Sequence, residues 1–301
     1  MHPPEYIVIS PVRNEEEYLP DTISCMASSS IRPKQWVIVN DGSTDGTKAI
    51  LDAAAEQFDW ITVVHRADRG YRQAGTGVIE AFYDGYSRIS ITDYEYLVKL
   101  DGDLSFSKDY FERCFAIFNR EPKLGIGGGT ICNKLNGVLE PESRIDPLFH
   151  VRGATKLYRK QCWDQIGGLI RAPGWDTVDE VKANMLGWTT RTFPEVKLLH
   201  HRMAGAAYGQ WSNWVKGGRA AYVSRYHPVF MVLKCCRRLF SRPYIVGGCG
   251  LFWGFCSGYF FRLPRVADQQ LIRYFRQQQF NRLLGKPSRW TDCHHSTRAQ
   301  G

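Results

Sequence analysis

The stretch WVIVNDGSTDGT, residues 36–47, runs from an apolar, β-branched segment directly into a loop of Asp, Gly, Ser and Thr. A short apolar run that ends at turn residues is typical of a buried strand. The loop can be an Asx turn that closes the strand, since Asp and Ser side chains bond nearby backbone groups. It can also be a ligand site at the end of the strand. The rest of the chain decides between these two interpretations.

The first hundred residues repeat one unit, an apolar strand followed by a helical stretch. Strands are predicted at 6–10, 35–40, 61–65 and 94–100, and helices from about residue 15 and over 46–58 and 74–86. This alternation predicts a mostly parallel sheet flanked by helices, in which ligands bind beyond the carboxyl ends of the strands. PVRNEE, DGSTDG and DGD each follow a predicted strand. Their shared position favours a ligand site over turn chemistry alone.

Two carboxylates lie one residue apart in KLDGDLSF, at the end of the fourth predicted strand. Asp101 and Asp103 would repel each other without a cation, and hard oxygen ligands suit Mg²⁺ or Mn²⁺ bridging a diphosphate. Many exposed turns also contain D-x-D, but the position after a buried strand favours the metal site. His200 or His201, at the end of a later apolar run, could complete the site as a neutral imidazole or could be a surface histidine.

Three acidic residues lie near the start of a predicted helix in GWDTVDEV, residues 174–181. Thr177 as N-cap and Glu180 three residues later match a capping box, which would place Asp179 in the first turn. Asp176 then lies in the preceding loop without a structural role. It is therefore the first candidate for a general base, with Asp179 and Glu180 as alternatives.

A basic loop, HRADRGYRQAG at residues 65–75, follows the third predicted strand. Arg69 and Arg72, with Gly70 between them, could bind phosphate as bidentate donors. They could equally belong to a solvated loop. The residues alone leave both interpretations open.

Charge is distributed unevenly along the 301 residues, although the net charge is +9. From Arg202 onward there are 16 Lys or Arg and two Asp or Glu. Within this part, YIVGGCGLFWGFCSGYFF, residues 244–261, carries no charge and is adjoined by basic, amphipathic stretches. We expect it to meet an anionic membrane surface as a shallow or re-entrant element. A single membrane span and a buried helical hairpin of a soluble domain are the alternatives.

Several features indicate a cytoplasmic protein. The first ten residues, MHPPEYIVIS, lack the basic and long apolar regions of a secretory leader. Nine scattered cysteines without a CxxC pair fit a reducing compartment better than a disulfide framework or a zinc site. No nucleic-acid-binding motif is present, so we expect no nucleic-acid partner. A boundary is predicted between a domain at 1–202 and an extension at 203–301.

Taken in order, these motifs resemble those of family 2 glycosyltransferases of the glycosyltransferase-A fold. The resemblance covers roughly residues 5–202. It is carried by PVRNEEEYLPDTISC, WVIVNDGSTDGT, DRGYRQAGTG, VKLDGDLSF, KLYRKQCWDQIGGL, GWDTVDEVKANMLGW and HHR. It implies the α/β, Rossmann-like fold of nucleotide-diphospho-sugar transferases, with a mostly parallel sheet between helices.

The resemblance also implies a role for each segment of the site. A nucleotide-sugar donor would be bound by Pro11, Arg13, Asn14, Glu15, Asp41, Ser43, Arg69, Gly70, Arg72, Asp101, Gly102 and Asp103. A divalent cation, Mg²⁺ or Mn²⁺, would be held by Asp101, Asp103 and His200, or by His201 in place of His200. These assignments rest on the family pattern.

The family's base motif has an Asp followed six residues later by a basic residue and eleven residues later by a Gly. Asp176, Lys182 and Gly187 fit that spacing, whereas Trp175 stands where the family usually has an acid. The implied reaction is an inverting displacement in which the base takes a proton from an acceptor hydroxyl. The metal neutralises charge on the departing nucleoside diphosphate.

The C-terminal third resembles the extensions of bacterial polysaccharide-assembly glycosyltransferases that work at the inner face of the cytoplasmic membrane. This resemblance implies a helical, membrane-associated extension that is peripheral or partly inserted. It also implies a polyprenyl-diphosphate-linked acceptor and a role in building cell-envelope polysaccharide.

Two other classes of protein compete with this interpretation. A nucleotidyltransferase of similar α/β fold would also use acids and a metal, but it would need a glycine-rich, basic loop after the first strand, where PVRNEE is acidic. A non-catalytic nucleotide-sugar or membrane-binding protein would not need the intact D-x-D pair or Asp176. Both observations favour the glycosyltransferase.

Overall fold

The computed structural model describes residues 3–70, 75–135, 137–143, 146–202, 209–240 and 244–290. Its contacts divide the chain into two compact units. The first comprises Met1–Gly168 and Leu186–Met203, and the second comprises Leu169–Met185 and Ala204–Gly301. The domain boundary expected after residue 202 stays a prediction; by contacts, residues 169–185 group with the C-terminal part of the chain.

The first unit is an α/β layer structure. Its strands are β1 Tyr6–Val12, β2 Gln35–Asn40, β3 Ile61–His65, β4 Tyr96–Leu100, β5 Leu104–Phe106, β6 Leu124–Leu135, β7 Val138–Pro141, β8 Thr155–Arg159 and β9 Thr189–His200. Its helices are α1 Leu19–Ala27, α2 Thr47–Gln57, α3 Thr76–Tyr86, α4 Tyr110–Arg120 and α5 Lys160–Ile166. The observed β2 and β3 coincide with the predicted strands.

The nine strands form one mixed sheet in the order β3-β2-β1-β4-β8-β6-β9-β5, with β7 paired to β6. Strands β1 to β4 are parallel to one another as predicted. Strand β8 is antiparallel to β4 and β6, and β5 is antiparallel to β9. The prediction of a mostly parallel sheet therefore holds for one half only. Strands β6 and β9 are again parallel to each other, so the sheet is mixed beyond β4.

The stretches TTRTF and VKLLH, which Pro194 and Glu195 separate in the sequence, belong to the single strand β9. Its register on β6 shifts between the pairs Gly129–Phe193 and Thr130–Lys197. Pro194, which cannot donate a ladder hydrogen bond, lies in this irregular stretch. The interruption in the sequence pattern is thus a bulge within one strand.

Helices cover both faces of the parallel half of the sheet. Trp36 and Ile38 of β2 belong to a core cluster with residues of α1, α2 and α4. Val37 and Val39, which point to the opposite face, pack with Ala81 of α3. Because both faces are buried, the strands are continuous apolar runs rather than alternating ones. The carboxyl ends of β1, β2 and β4 lie at one edge of the sheet, and this arrangement positions the site.

The second unit is helical in its described residues. Its helices are α6 Trp175–Met185, α7 Gly209–Val223, α8 Pro228–Leu239, α9 Val246–Phe260 and α10 Gln269–Leu283. Leu271 and Phe275 of α10 pack on Val178 and Val181 of α6. A buried face of α6 is therefore made by residues near the end of the chain.

Helix α6 begins earlier than the capping pattern predicted. Gly174 has a φ of +85° and its carbonyl oxygen accepts hydrogen bonds from the N–H groups of Thr177 and Val178, so the helix starts at Trp175. Thr177 is consequently inside the helix and is not its N-cap. Asp176 lies in the first turn rather than in the preceding loop. The predicted capping box is wrong, because a left-handed glycine and the buried Trp175 set the start of the helix instead.

Helix α9 packs through glycines. An added Cβ at Gly254 would lie 2.1 Å from the carbonyl oxygen of Val215 in α7, and one at Gly258 would lie 2.4 Å from the Tyr222 ring. Gly248 meets the Cys235 carbonyl of α8 in the same way. The glycines allow the backbone of α9 to approach both neighbouring helices closely.

Within the described ranges, no helix has the length and apolar character needed to cross a bilayer. The apolar segment 244–261 contains the 15-residue helix α9. The eight cysteines in these ranges are all free thiols.

Substitution of Gly254 by alanine should destabilise the protein, because the new Cβ would collide with the Val215 carbonyl. We expect the free energy of unfolding to fall by about 1–3 kcal/mol, although alanine favours a helix over glycine by about 1 kcal/mol. Thermal unfolding followed by circular dichroism measures the change. The control is Gly217→Ala in α7, where the nearest atom is the end of the Leu251 side chain at 3.3 Å; its Tm should be unchanged or higher. Equal Tm values for the two variants would contradict the close packing of α7 and α9.

Candidate active site

The loops after β1 and β2 are joined by reciprocal hydrogen bonds. The Asn14 N–H donates to Ser43 Oγ at 2.9 Å, and the Thr44 N–H donates to Asn14 Oδ1 at 2.9 Å. The Glu15 N–H donates to Thr47 Oγ1 at 2.8 Å. Asn14 has a φ of +55°, a conformation that Asn tolerates better than most residues. The DGST loop is therefore both a turn and part of a rigid wall at the strand ends.

Gly42 is required by a neighbouring backbone. It has a φ of +68°, and a Cβ there would lie 2.5 Å from the Cα of Asp68. The glycine brings the loops after β2 and β3 together.

Asp41 is buried and surrounded by arginines. Arg66 Nη1 lies 2.5 Å from Asp41 Oδ1, and Arg69 Nη2 lies 2.5 Å from Asp41 Oδ2. Arg13 Nη1 donates to the Asp41 carbonyl, and its Nη2 pairs with Asp68 Oδ1 at 2.7 Å. The hydrogen bond from Arg13 holds the pKa of Asp68 below its usual value. The carboxylate and three guanidinium groups form one charged cluster, to which the predicted residues Arg13, Asp41 and Arg69 all belong.

A chain of polar contacts supports the loop from behind. Asn40 Oδ1 accepts a hydrogen bond from the Ser43 N–H at 2.9 Å, and its amide nitrogen lies 3.1 Å from His65 Nδ1. His65 Nε2 lies 2.8 Å from Asp52 Oδ1. If the Asn40 amide donates to Nδ1, then Nε2 carries the proton that is shared with Asp52, which assigns the neutral Nε2–H tautomer. No pattern in the sequence pointed to these three supporting side chains.

Asp101 is paired with Lys99, which no motif in the sequence had indicated. Lys99, in the buried strand β4, donates from its Nζ to Asp101 Oδ1 and also to the Gly153 carbonyl at 2.6 Å. Desolvation raises the pKa of Asp101, and Asp103 adds to this shift, whereas Lys99 lowers it. A charged residue in the middle of the apolar run YLVKL is the signal that could have revealed the pair.

Asp103 lies beside His200 because β5 pairs with β9. Leu104 is the partner of His200 in the antiparallel register. His200 Nε2 lies 3.4 Å from Asp103 Oδ2, and its Nδ1 lies 3.6 Å from Glu142 Oε2. Burial alone would lower the pKa of His200, but the carboxylates of Asp103 and Glu142 raise it to about 10. At neutral pH the imidazole therefore carries a positive charge between two acids.

The other predicted histidine lies in different surroundings. His201 Nε2 lies 2.7 Å from Ser105 Oγ, and its ring stacks on Tyr18 with the ring centroids 4.8 Å apart. The structure thus brings His200 to Asp103, and its neighbour His201 to Ser105. No sequence signal pointed to Glu142, which reaches His200 from the segment after β7.

These side chains fit a divalent cation that also binds a diphosphate. Carboxylates and one imidazole are suitable ligands for Mn²⁺, and carboxylates suit Mg²⁺. Among the described residues, no group of three or more His, Cys, Asp or Glu side chains is arranged to hold a metal ion by itself. Mg²⁺ is commonly held by one or two carboxylates together with substrate phosphates. A site in which donor oxygens complete the coordination matches that description.

The remaining predicted donor residues have various positions. Pro11 is buried within β1, where it pairs with Val39. The Glu15 side chain is buried and pairs with Arg202, whose guanidinium also contacts the Asn14 carbonyl. The Gly70 N–H donates to Asp68 Oδ1 at 3.0 Å.

The last two residues that were predicted to bind the nucleotide-sugar donor are Gly102 and Arg72. A Cβ at Gly102 would lie 2.6 Å from Val12, so this glycine lets the D-x-D turn approach β1. Arg72 lies outside the described residues.

The three candidate bases lie on α6 in the second unit and differ in burial. Asp176, in the first turn, is half-buried. Asp179 is buried and its Oδ1 accepts from the Glu180 N–H at 2.7 Å. Glu180 has no exposed surface, and its Oε2 lies 3.5 Å from Arg289 Nη2. Of the three, Asp176 is the one with substantial solvent contact.

Comparison with known proteins adds a family and a set of relatives. The family model Glycosyl transferase family 2 matches residues 7–171. The poly-beta-1,6-N-acetyl-D-glucosamine synthase of Staphylococcus aureus (strain COL) is 32% identical over 232 residues, which are 68% of this chain and 52% of that protein. The synthase of the same name from Staphylococcus epidermidis is 24% identical over 247 residues, 73% of this chain and 56% of that protein. The chain spans about half the length of these curated relatives.

Two solved structures have a similar fold. Mannosyltransferase PcManGT from Pyrobaculum calidifontis, in complex with GDP-Man and Mn²⁺, gives a TM-score of 0.54 at 17% identity and covers 99% of this chain and 80% of its own. S. aureus TarS 1–349, in complex with UDP-GlcNAc, gives a TM-score of 0.52 at 16% identity, with 93% and 80% covered. At these identities the likeness shows the fold alone. That fold has a mixed sheet flanked by helices, as found here.

Replacing Lys99 by methionine should destabilise the first unit, because Asp101 would lose the ammonium that offsets its charge. We expect the free energy of unfolding to fall by roughly 1–3 kcal/mol. The double variant Lys99→Met/Asp101→Asn should recover part of the loss, since a neutral amide needs no counter-charge. Urea denaturation measures each value.

The control for this prediction is Lys48→Met, which removes an exposed pair with Asp52. Exposed pairs contribute about 0–1 kcal/mol. A Lys99→Met variant no less stable than Lys48→Met would show that the buried pair is not needed.

Proposed function

The chain belongs to glycosyl transferase family 2, and from that premise we propose that it transfers a sugar from a nucleotide-diphosphate donor to a hydroxyl acceptor with inversion at the anomeric carbon. The observation that carries the proposal is the meeting of three polar loops at one sheet edge. These loops follow β1, β2 and β4, and they bring the Asp41 cluster and the Asp101–Asp103 pair to the carboxyl ends of neighbouring strands. Open α/β sheets bind ligands at that edge.

The Asp41 cluster is proposed to hold the nucleoside end of the donor. A buried carboxylate can accept a hydrogen bond from the edge of a base, and its orientation is fixed by Arg66 and Arg69. Asn14 and Ser43 form the wall beside it through their mutual hydrogen bond. The reciprocal bonding of these loops pre-organises the pocket, which reduces the ordering cost of binding.

Asp101 and Asp103, with His200 or His201, are proposed to hold Mg²⁺ or Mn²⁺ on the diphosphate. When bound, the cation neutralises the charge that develops on the departing nucleoside diphosphate. Because the neighbouring carboxylates favour a protonated imidazole, His200 must release its proton before it can act as a ligand. Lys99 fixes the position of Asp101 by donating a hydrogen bond to its Oδ1.

Asp176 is proposed as the general base, with Asp179 and Glu180 as alternates. An acceptor oxygen attacks the anomeric carbon, its proton passes to the Asp176 carboxylate, and the bond from that carbon to the diphosphate oxygen breaks. The nucleoside diphosphate leaves with the bonding electron pair. Two observations support Asp176 over the alternates: it is half-buried whereas they are buried, and Glu180 is already paired with Arg289.

The identity of the donor is proposed from the relatives. Two of them are named as synthases of poly-beta-1,6-N-acetyl-D-glucosamine, and TarS has been solved with UDP-GlcNAc. UDP-GlcNAc is therefore the first donor to try, and GDP-mannose, the ligand of PcManGT, is the second.

We propose a polyprenyl-diphosphate-linked glycan as the acceptor, reached at the inner face of the cytoplasmic membrane. The sequence from residue 196 to 267 contains no Asp or Glu. With its glycines packed inward, α9 exposes large side chains: Phe252 is 48%, Trp253 57%, Phe260 81% and the following Phe261 58% exposed. Aromatic side chains flanked by cations match a bilayer surface with anionic lipids. This proposal makes the protein peripheral or partly inserted.

The donor proposal predicts that the full chain with Mn²⁺ releases UDP from UDP-GlcNAc, as measured by a coupled UDP assay. Asp103→Ala and Asp176→Asn should each lower this rate by about a hundredfold or more, since a general base contributes 10²–10⁴-fold. Only Asp103→Ala should also abolish metal-dependent binding of UDP in calorimetry. Asp59→Asn, an exposed carboxylate away from the site, is the control and should keep the full rate. An Asp176→Asn variant within tenfold of the unsubstituted chain would exclude Asp176 as the base.

The membrane proposal predicts that the protein floats with vesicles of phosphatidylglycerol and phosphatidylethanolamine, and less with phosphatidylcholine alone. Phe252→Ser/Trp253→Ser should reduce flotation on both kinds of vesicle. Arg237→Gln/Arg262→Gln should reduce only the gain from the anionic lipid, and high salt should have the same effect.

A double variant of exposed apolar residues in the first unit, Leu135→Ser/Val138→Ser, is the matched control and should float like the unsubstituted chain. Equal loss in the control would show that α9 is not the contact surface. These substitutions are more informative than deletion of 229–301, because that deletion would also remove the residues that bury α6.

A further inference from the structure

A buried ion pair lies inside the second unit, where Glu180 of α6 meets Arg289, which follows α10. Glu180 is 0% and Arg289 6% exposed, and Oε2 and Nη2 are 3.5 Å apart. Burial lowers the pKa of Arg289, and Glu180 raises it again. Buried charges are rare unless they are paired, since each loses its hydration. The pair therefore has to be explained.

Glu180, the acidic member of this pair, lies on α6 about one turn after Asp176, the proposed base. Asp176, Asp179 and Glu180 are spaced i, i+3 and i+4, so they share one face of α6. Asp179 is also buried and its charge acts on Arg289 as well. Arg289 thus offsets the two buried acids that lie one turn from Asp176.

Arg289 is held by its own neighbours. Its N–H donates to Gln278 Oε1 at 2.9 Å, and its guanidinium carbon lies 5.9 Å from the centroid of the Trp290 ring. The buried Gln279 accepts from the His227 N–H at 2.9 Å, which fixes α10 to the start of α8. Residues 269–290, here called the C-terminal strap, are therefore attached to α8 and bring Arg289 to α6.

Stability alone is a weak reason for such a pair. Replacing a buried ion pair by apolar residues of similar volume is often neutral or stabilising, whereas breaking it from one side is strongly destabilising. The apolar contacts of Leu271 and Phe275 with Val178 and Val181 already attach the strap to α6. What the ion pair adds is direction, because a charge-assisted hydrogen bond depends on the orientation of both groups, whereas apolar contact does not.

We infer that Arg289 is a positioning residue for the transfer reaction. Through Glu180 it fixes the orientation of the part of α6 that carries Asp176. Its positive charge also offsets the buried carboxylates of Glu180 and Asp179. This inference rests on the proposed function, in which Asp176 is the base. The charged or titratable groups around Arg289 are Glu180 and Asp179 from α6, Tyr274 from α10, and Tyr226 from the connection between α7 and α8.

The test uses the full chain with Mn²⁺ and UDP-GlcNAc, and it measures kcat, KM and Tm for each variant. Arg289→Met should lower both kcat and Tm, because it leaves Glu180 buried without its cation. In the double variant Glu180→Leu/Arg289→Met, the apolar pair should restore Tm. Its kcat should remain at least about tenfold low, since small misplacement of a catalytic group is costly, while KM for UDP-GlcNAc stays within about threefold. Arg289→Lys, which keeps a charge, should retain more activity than Arg289→Met.

Arg282→Met is the control, because Arg282 is exposed in the last turn of α10 and should change none of the three quantities. If the double variant has the kcat of the unsubstituted chain, the inference is wrong and the ion pair contributes only to stability. If the double variant fails to fold, the single variant decides: Arg289→Met with unchanged kcat well below its Tm would have the same consequence. If the unsubstituted chain releases no UDP from UDP-GlcNAc, the proposed function fails, and if Asp176→Asn keeps its rate, the assignment of the base fails; both results differ from a failure of the Arg289 inference.

Discussion

The parallel hydrogen bonding of β1 to both β2 and β4 is the constraint on which the first unit depends. It pairs Val12 with Asn40 on one side and Ile9 with Lys99 on the other. Each strand is buried on both faces, so a one-residue slip would turn every side chain to the opposite face, where the close packing is made for a different side chain. The register is therefore fixed by the core, and it carries three polar loops to a single edge. The position of the charged groups is a consequence of apolar packing several residues away.

Three acids at that edge each have a cation of the protein beside them. Asp41 has Arg66 and Arg69, Asp101 has Lys99, and Asp103 has His200. Such pairing lets carboxylates accumulate in a partly buried site without large mutual repulsion. A cation or a nucleotide base that binds at this edge would therefore replace existing contacts between charged side chains of the protein.

Sequence patterns predicted the parts of the molecule that depend on local order. The apolar runs predicted β2 and β3, and the polar segments after three predicted strands were correctly expected at one edge of the sheet. The patterns missed contacts between distant residues, such as Glu142 with His200 and Glu180 with Arg289, because spacing along the chain carries no information about them. They also failed at α6, where Gly174 starts the helix before Thr177 can cap it. The antiparallel pairs of the sheet were missed because they join β4 to β8 and β5 to β9, strands that are far apart in the sequence.

The place of α6 in the chain affects how the protein must fold. The helix is made between two strands of the first unit, yet Glu180 and Arg289 are 109 residues apart. Contacts of such high sequence separation form late, because the intervening chain must be ordered first. Until residues 269–290 have been synthesised, Val178, Val181 and Glu180 lack their contacts with the strap. The helix that we propose to be catalytic is therefore completed only by a segment that lies about a hundred residues further along the chain, even where the strands of the first unit have already folded.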